Sequence, residues 1–329
     1  MRALLLLLLL LTLLALPTMA GEAPLRHRVD IGGRNLNLVC MGHGAPTLVF
    51  LQGAGDNITG WRKLRPSVER MSRTCFYDRA GFGLSDAPGG PIDVVTVTDE
   101  LQRLLRAAGV AGPVVLVGHS LGGYYATAFA QRFPALIAGL VLVDPSFAGQ
   151  FEYAPGEGDK KIVRDDFRAF AGNLKRCAAL ARSGGLSPAK THNCFQIKSG
   201  LGEAEKQYLA AQYGRPLYYE SALAEYQAFF PQSNWKTRDD ELARRFQRPL
   251  KNVPIIVLTA GIAVNNPRKS PKGNRDFAAH WKEGHDRLAL LSPRGRSVVV
   301  PGARHSIQSD RPQAVLDAIR WVLDTARTP

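Results

Sequence analysis

The sequence lacks several features that would place the protein in other classes. After residue 20 it has no apolar run of the roughly 20 residues needed to cross a bilayer. It has no run of five or more basic residues and no zinc-finger, helix-turn-helix or RNA-stacking signature, although the net charge is +14. Because the lysines and arginines are scattered, we expect a solvated basic surface and no nucleic-acid partner.

Cysteine is scarce, with four residues in the chain: Cys40, Cys75, Cys177 and Cys194. No two of them are two to four residues apart, as zinc ligands commonly are, so no metal site is expected. Four cysteines allow three disulfide pairings, among which the spacing does not choose. An even number is typical of exported proteins, in which disulfides persist.

The first 20 residues have the pattern of a secretory signal. A short basic start precedes an apolar stretch from Ala3 to Leu16, and small residues lead up to Ala20. The stretch is too short to span a bilayer, and no cysteine follows Ala20 to carry a lipid anchor. We therefore predict cleavage after Ala20, no stable membrane insertion afterwards, and a secreted or periplasmic protein.

Seven short apolar runs bounded by Gly, Pro, Asn or Asp predict strands that are buried on both faces. They cover residues 36–39, 48–51, 75–77, 114–117, 140–143, 255–258 and 298–300. Helices are predicted between them at 94–108, 122–133 and 313–325. Alternating strands and helices indicate an α/β fold with a doubly wound, mostly parallel sheet.

Residues 149–250 interrupt this alternation. They have helical composition, notably at 167–180 and 203–212, many aromatic residues and no convincing strand. Long insertions in α/β folds lie over the carboxyl ends of the strands, where ligands bind. We predict a helical lid at 149–250, inserted between two parts of the core at 21–148 and 251–329.

The stretch "VVLVGHSLGG", residues 114–123, places Ser120 where a buried strand ends and a helix begins. This is the setting of a nucleophile elbow, whose tight turn needs small residues at Gly118 and Gly122. A plain helix N-cap would explain the serine but not both glycines.

A serine nucleophile needs a base and an acid. Of the seven histidines, only His305 follows a predicted strand by a short loop, so we predict it as the base. Asp144 ends the strand "GLVLVD" beside the elbow strand and is the favoured acid. The carboxylates beyond the next strand, Asp276, Glu283 and Asp286, stay open as alternatives.

An acyl-transfer site also needs N–H donors for the oxyanion. One is expected from the backbone of Leu121, directly after the nucleophile. The other is expected from Ala54 in "FLQGAGDN", where Gly53 lets the chain turn.

Five segments together resemble the α/β-hydrolase superfamily, in its order: "LVFLQGAGDN", "YDRAGFGLSD", "LVGHSLGG", "LVLVDPS" and "GARHSIQSDRP". The regions around Cys40 and Cys75 look like a subgroup of exported, largely uncharacterised serine hydrolases. The resemblance implies a catalytic triad of Ser120, Asp144 and His305.

The resemblance has three further implications. Asp78 and Arg79 would form a buried, salt-bridged turn with a structural role. The strands of Cys40 and Cys75 would lie side by side and allow a disulfide between them, which leaves Cys177 to pair with Cys194. Many relatives have His-Gly where this chain has Gln52-Gly53, which changes the side-chain support of the oxyanion loop but not its backbone donor.

The sequence thus predicts a secreted, cofactor-independent serine hydrolase that cleaves small carboxylic esters through an acyl-enzyme. Phe229, Phe230 and Trp235 in the lid are expected to shape an apolar pocket. Dehalogenases and epoxide hydrolases of this fold have an aspartate at the elbow, so Ser120 argues against them. Thioester, lactone or peptide cleavage, or a non-catalytic binding protein on the same scaffold, are the alternatives.

Overall fold

The computed structural model describes residues 25–152, 156–197, 200–231, 235–263 and 266–327, so the predicted signal lies outside the described residues. Its sheet has eight strands: β1 (Arg28–Asp30), β2 (Asn35–Met41), β3 (Leu48–Leu51), β4 (Thr74–Tyr77), β5 (Val114–His119), β6 (Ile137–Val143), β7 (Ile255–Ala260) and β8 (Gly295–Val300). They lie in the order β1-β2-β4-β3-β5-β6-β7-β8, and β3 to β8 all run parallel. The predicted mostly parallel sheet is confirmed. The prediction missed β1, a three-residue edge strand in which only Val29 is buried.

The described helices are α1 (Arg65–Val68), α2 (Val94–Ala107), α3 (Leu121–Arg132), α4 (Glu157–Arg182), α5 (Glu203–Tyr213), α6 (Pro216–Phe229), α7 (Arg238–Ala243), α8 (Pro271–Ala289), α9 (Ile307–Asp310) and α10 (Pro312–Arg327). Side chains of α2, α3 and α8 pack on one face of the sheet, and those of α1, α9 and α10 pack on the other. In β5, the side chains of Val114 and Leu116 pack on the face covered by α2, α3 and α8. Those of Val115 and Val117 pack on the face covered by α1, α9 and α10. This alternation along a doubly buried strand fixes the position of Ser120 at its end.

Helices α4 to α7 fill the chain between β6 and β7, where the lid is predicted. Helix α4 begins at Glu157, well before the predicted 167–180. Phe82 of the core packs with α4 and α6 in a small apolar cluster of its own. The boundaries 149–250 for a separate lid stay a prediction.

Two disulfides link the described cysteines. Cys40 and Cys75 lie directly opposite each other on β2 and β4 and are bonded. The Cys177–Cys194 disulfide ties α4 to the loop that follows it. This is the pairing that the family resemblance implies, and disulfides are compatible with an extracellular location. In the described parts of the chain, no helix combines the length and the apolar character needed to cross a membrane.

Candidate active site

The turn at Ser120 is strained and tightly packed. Ser120 has a φ of 50°, a left-handed value that is uncommon for a residue with a side chain. A Cβ at Gly118 would lie 2.5 Å from the carbonyl oxygen of Gly122, and a Cβ at Gly122 would lie 2.3 Å from that of Leu51. The Ser120 side chain makes no capping hydrogen bond to α3, which removes the N-cap explanation. The turn has the features expected of a nucleophile elbow.

Asp144 directly follows β6 and contacts His305. Oδ2 of Asp144 lies 2.6 Å from Nδ1 of His305, and Oδ1 accepts the backbone N–H of Ala260 at 2.8 Å. Burial raises the pKa of Asp144, but the hydrogen bond and charge of His305, together with the Ala260 N–H, lower it below its ordinary value overall. Asp144 is therefore an ionised carboxylate, and Nε2 is the nitrogen of His305 left for proton transfer.

The three alternative acids lie on α8 and each has a cation four residues away as its partner. Asp276 pairs with Lys272, Glu283 with Arg287, and Asp286 with Lys282. Of the four candidate acids, the structure brings Asp144 to His305.

One cavity of about 660 Å³ is lined by Ser120, Asp144, His305, Ala54 and Leu121. Within the described residues, the backbone N–H groups of Ala54 and Leu121 have no hydrogen-bond acceptor. Two unengaged donors beside a strained serine can receive an oxyanion. Much of the remaining lining is aromatic: Phe151, Phe167, Phe170, Tyr226, Phe229, Phe230, Phe277 and Trp281.

The expectation that Trp235 shapes this cavity is wrong. Phe229 and Phe230 line the cavity, but Trp235 packs instead against the hydrophobic core on the sheet face of α2, α3 and α8. The connection that holds Trp235 leads into α7, and α7 packs against α2. In the described residues, no group of three or more His, Cys, Asp or Glu side chains is arranged to hold a metal ion.

A family model described as the alpha/beta hydrolase family matches residues 48–318, which include all five of the predicted site residues. The chain belongs to the α/β hydrolase family.

This α/β hydrolase is similar to an uncharacterised protein of Schizosaccharomyces pombe, with 42% identity over 216 residues, or 65% of this chain and 36% of that protein. It also matches the 2-(acetamidomethylene)succinate hydrolase of Mesorhizobium japonicum, with 31% identity over 125 residues, or 38% of this chain and 44% of the relative. Each match spans less than half of the curated relative. A thermophilic esterase from Thermogutta terrifontis has a similar structure, with a TM-score of 0.55 and 22% identity over 92% of this chain and 99% of the esterase. At that identity the likeness shows the fold alone.

His119, inside the elbow of the hydrolase, touches His305 but is no candidate base. Its Nε2 lies 3.0 Å from the backbone oxygen of His305, which can only accept, so Nε2 carries the proton. Burial, with a contribution from the neighbouring charge of His305, lowers the pKa of His119 to about 3. His119 is thus neutral and donates a hydrogen bond to the backbone carbonyl of His305.

Sequence reasoning missed two residues of α8, one that bonds Asp144 and one that joins the strand ends beside it. Trp281 donates its indole N–H to Oδ1 of Asp144. The buried ring of His285 bonds Thr259 through Nδ1 at 2.7 Å and the carbonyl of Pro145 through Nε2 at 2.9 Å, which joins the ends of β7 and β6. Their spacing of four places both on one face of α8, but periodicity does not reveal that this face meets Asp144.

The turn after β4 is buried and salt-bridged, as the family resemblance implies, and the partner of Arg79 comes from a distant helix. Asp78 accepts hydrogen bonds from Asn37, Tyr208 and the backbone of Ile58. Arg79 forms its ion pair with Glu225 of α6, which no local sequence signal indicates.

Proposed function

We propose that this α/β hydrolase is an exported serine esterase that cleaves apolar carboxylic esters through an acyl-enzyme. Ser120 is the nucleophile, His305 the base and Asp144 the acid. The observation that carries the proposal is the 2.6 Å hydrogen bond between Asp144 and His305, in the cavity that Ser120 also lines.

In this mechanism, Oγ of Ser120 attacks the ester carbonyl carbon while Nε2 of His305 takes the hydroxyl proton. Asp144 stabilises the imidazolium, and the N–H groups of Ala54 and Leu121 bind the oxyanion. When the intermediate collapses, the C–O bond to the alcohol breaks and His305 protonates the leaving oxygen. Water then attacks the acyl-enzyme with the same proton transfers and releases the carboxylic acid.

The aromatic lining favours an ester with an apolar acyl or alcohol part. Ester hydrolysis occurs on this fold, as in the esterase from Thermogutta terrifontis, so it is the first reaction to test. Thioesters, lactones and peptides react by the same steps and are the alternative substrates. A non-catalytic binding protein is the alternative from another class.

The test treats the purified protein, beside Ser120→Ala, with a fluorophosphonate probe and with p-nitrophenyl esters of increasing acyl length. We expect the wild type to be labelled and to turn over, and Ser120→Ala to do neither. The acyl length with the highest kcat/KM then measures the reach of the cavity. A folded wild type that is not labelled contradicts the proposal and favours the binding protein.

The proposal includes removal of the signal after Ala20 and a lid at residues 149–250. The two disulfides support an oxidising compartment. N-terminal sequencing of the exported protein is expected to begin at Gly21, and a sequence beginning at Met1 would contradict cleavage.

A further inference from the structure

The loop that carries Ala54 is held by two side chains. Arg79 donates to the carbonyl of Gln52 from Nη1 at 2.7 Å and to the carbonyl of Gly53 from Nη2 at 2.8 Å. Glu225 accepts the N–H of Gly55 on Oε2 at 2.8 Å. The peptide groups on both sides of Ala54 are therefore fixed.

The contact with Gly53 also sets the direction of the oxyanion donor. The carbonyl of Gly53 and the N–H of Ala54 belong to one planar trans peptide, in which they point opposite ways. When Arg79 binds that carbonyl, the N–H of Ala54 must face away from Arg79. The side chain of Gln52 adds no such support, because its amide atoms are buried without a partner among the described residues.

Arg79 and Glu225 come from different parts of the molecule. Nε of Arg79 donates to Oε1 of Glu225 at 2.8 Å, and both side chains are at most 2% exposed. Arg79 follows β4 of the core, whereas Glu225 lies on α6, between β6 and β7. The adjacent carboxylate, Asp78, is engaged by Asn37 and Tyr208, so the charge of Arg79 is balanced from α6.

We propose that Glu225 is a positioning residue for the oxyanion loop, so that the seating of α6 on the core and the assembly of the oxyanion hole are coupled. This inference rests on the proposed ester hydrolysis. When α6 is seated, Glu225 holds Arg79 and Gly55, and the Ala54 N–H points at the site. When α6 is displaced, Gly55 loses its acceptor, Arg79 loses its counter-charge, and the donor is no longer fixed.

The test compares Glu225→Gln with Glu100→Gln. Glu100 is a matched control because it is also buried and paired with an arginine, Arg34, in the turn between β1 and β2 at the sheet edge. We expect Glu225→Gln to lower kcat for the best ester by about 10²-fold, the usual effect of misplacing an oxyanion donor, with KM little changed. The Ki of a trifluoromethyl ketone, which mimics the oxyanion, rises by the same factor. Glu100→Gln leaves both values as in the wild type.

Amide hydrogen exchange gives a readout that does not depend on turnover. The peptide containing Gly55 is expected to exchange faster in Glu225→Gln than in the wild type or in Glu100→Gln, because the Gly55 N–H has lost a charged acceptor. If Glu225→Gln leaves the exchange rate of the Gly55 peptide unchanged, the inference is overturned, whether or not the wild type cleaves esters. A wild type that is inactive on esters contradicts the proposed function instead.

A second variant covers the case in which Glu225→Gln fails to fold because a buried Arg79 is left unpaired. Arg79→Met combined with Glu225→Leu removes both charges and is expected to fold while kcat stays low. A double variant with the wild-type kcat would show that the pair is structural only and would overturn the inference. So would a Glu225→Gln variant in which KM alone changes.

Discussion

Trp281 and Asp144 are joined by a hydrogen bond of 3.1 Å from the indole Nε1 to the carboxylate Oδ1. With the Ala260 N–H on the same oxygen, this bond leaves Oδ2 for His305. Trp281 also lines the cavity. One side chain therefore contacts both the proposed acid and the space that the substrate would occupy.

Replacing Trp281 with phenylalanine keeps a ring in the cavity and removes the hydrogen bond. We expect kcat for esters to fall about tenfold, at the lower end of what a hydrogen bond to a charged group contributes, because Ala260 still holds Oδ1. Steady-state kinetics on p-nitrophenyl esters measure this. Phe170→Leu changes another aromatic of the lining without touching Asp144 and is expected to raise KM only. A Trp281→Phe enzyme that differs from the wild type only in KM would contradict the positioning role.

The choice of acid can be tested directly. Asp144→Asn is expected to lower kcat by about 10⁴-fold, because the amide no longer holds His305 in the required tautomer. Asp276→Asn and Glu283→Gln remove only surface ion pairs with Lys272 and Arg287 and should leave kcat unchanged. A large loss in either surface variant, with Asp144→Asn active, would reassign the acid.

The features predictable from sequence are those set by local patterns. Apolar runs located all five strands from β3 to β7, because strands buried on both faces contain little polar sequence. The bounds of β3 match the prediction, and the other four predicted strands are one to three residues short at one end. The elbow could be recognised because Gly118, Ser120 and Gly122 lie within five residues of chain, although a Cβ at Gly122 would meet the distant carbonyl of Leu51 on β3.

The remaining features depend on tertiary contacts between distant segments. Helix α6 lies in the predicted helical segment 149–250, but the sequence does not indicate its bounds, and the Arg79–Glu225 pair spans 146 residues. Trp281 looks like any other aromatic on an amphipathic helix until α8 is packed beside β7. For the same reason, Trp235 could not be separated from Phe229 and Phe230 by composition.

His119 should make stability depend on pH. Its pKa is about 3 in the folded protein, chiefly because of burial, against an ordinary value of 6.5. Between these values the unfolded chain binds a proton that the folded protein does not. The contribution of His119 to the free energy of unfolding is therefore complete above pH 6.5. It is lost as the pH falls toward 3, by ~1.4 kcal/mol per pH unit.

His119→Gln removes this titration while an amide N–H still faces the carbonyl of His305. Urea unfolding measures how much the free energy of unfolding falls when the pH is lowered from 7 to 5. We expect this fall to be smaller by ~2 kcal/mol in His119→Gln than in the wild type. His43→Gln, at an exposed position, should lose as much as the wild type. Equal losses in all three proteins would contradict a buried neutral His119.

Asp239 should lower the stability of the protein as the pH rises, in the direction opposite to that of His119. Its side chain is buried; Oδ1 accepts the N–H of Val94, and Oδ2 has no partner among the described residues. Burial, with smaller contributions from the charges of Asp93 and Asp240, raises its pKa to about 8 from an ordinary 3.8. Between these values the folded protein holds a proton that the unfolded chain has lost. The contribution of Asp239 is therefore complete below about pH 4 and is lost as the pH rises to 8.

Asp239→Asn fixes the neutral form at this position and should stabilise the protein more as the pH rises. The gain in unfolding free energy over the wild type is expected to grow by up to ~1.4 kcal/mol per pH unit between pH 4 and 8, as measured by urea unfolding across that range. Asp276→Asn, on the exposed surface of α8, is the matched control and should show no such growth. A gain for Asp239→Asn that is independent of pH would mean that Asp239 is ionised in the folded protein, and that the N-terminus of α2 tolerates a buried charge at this contact.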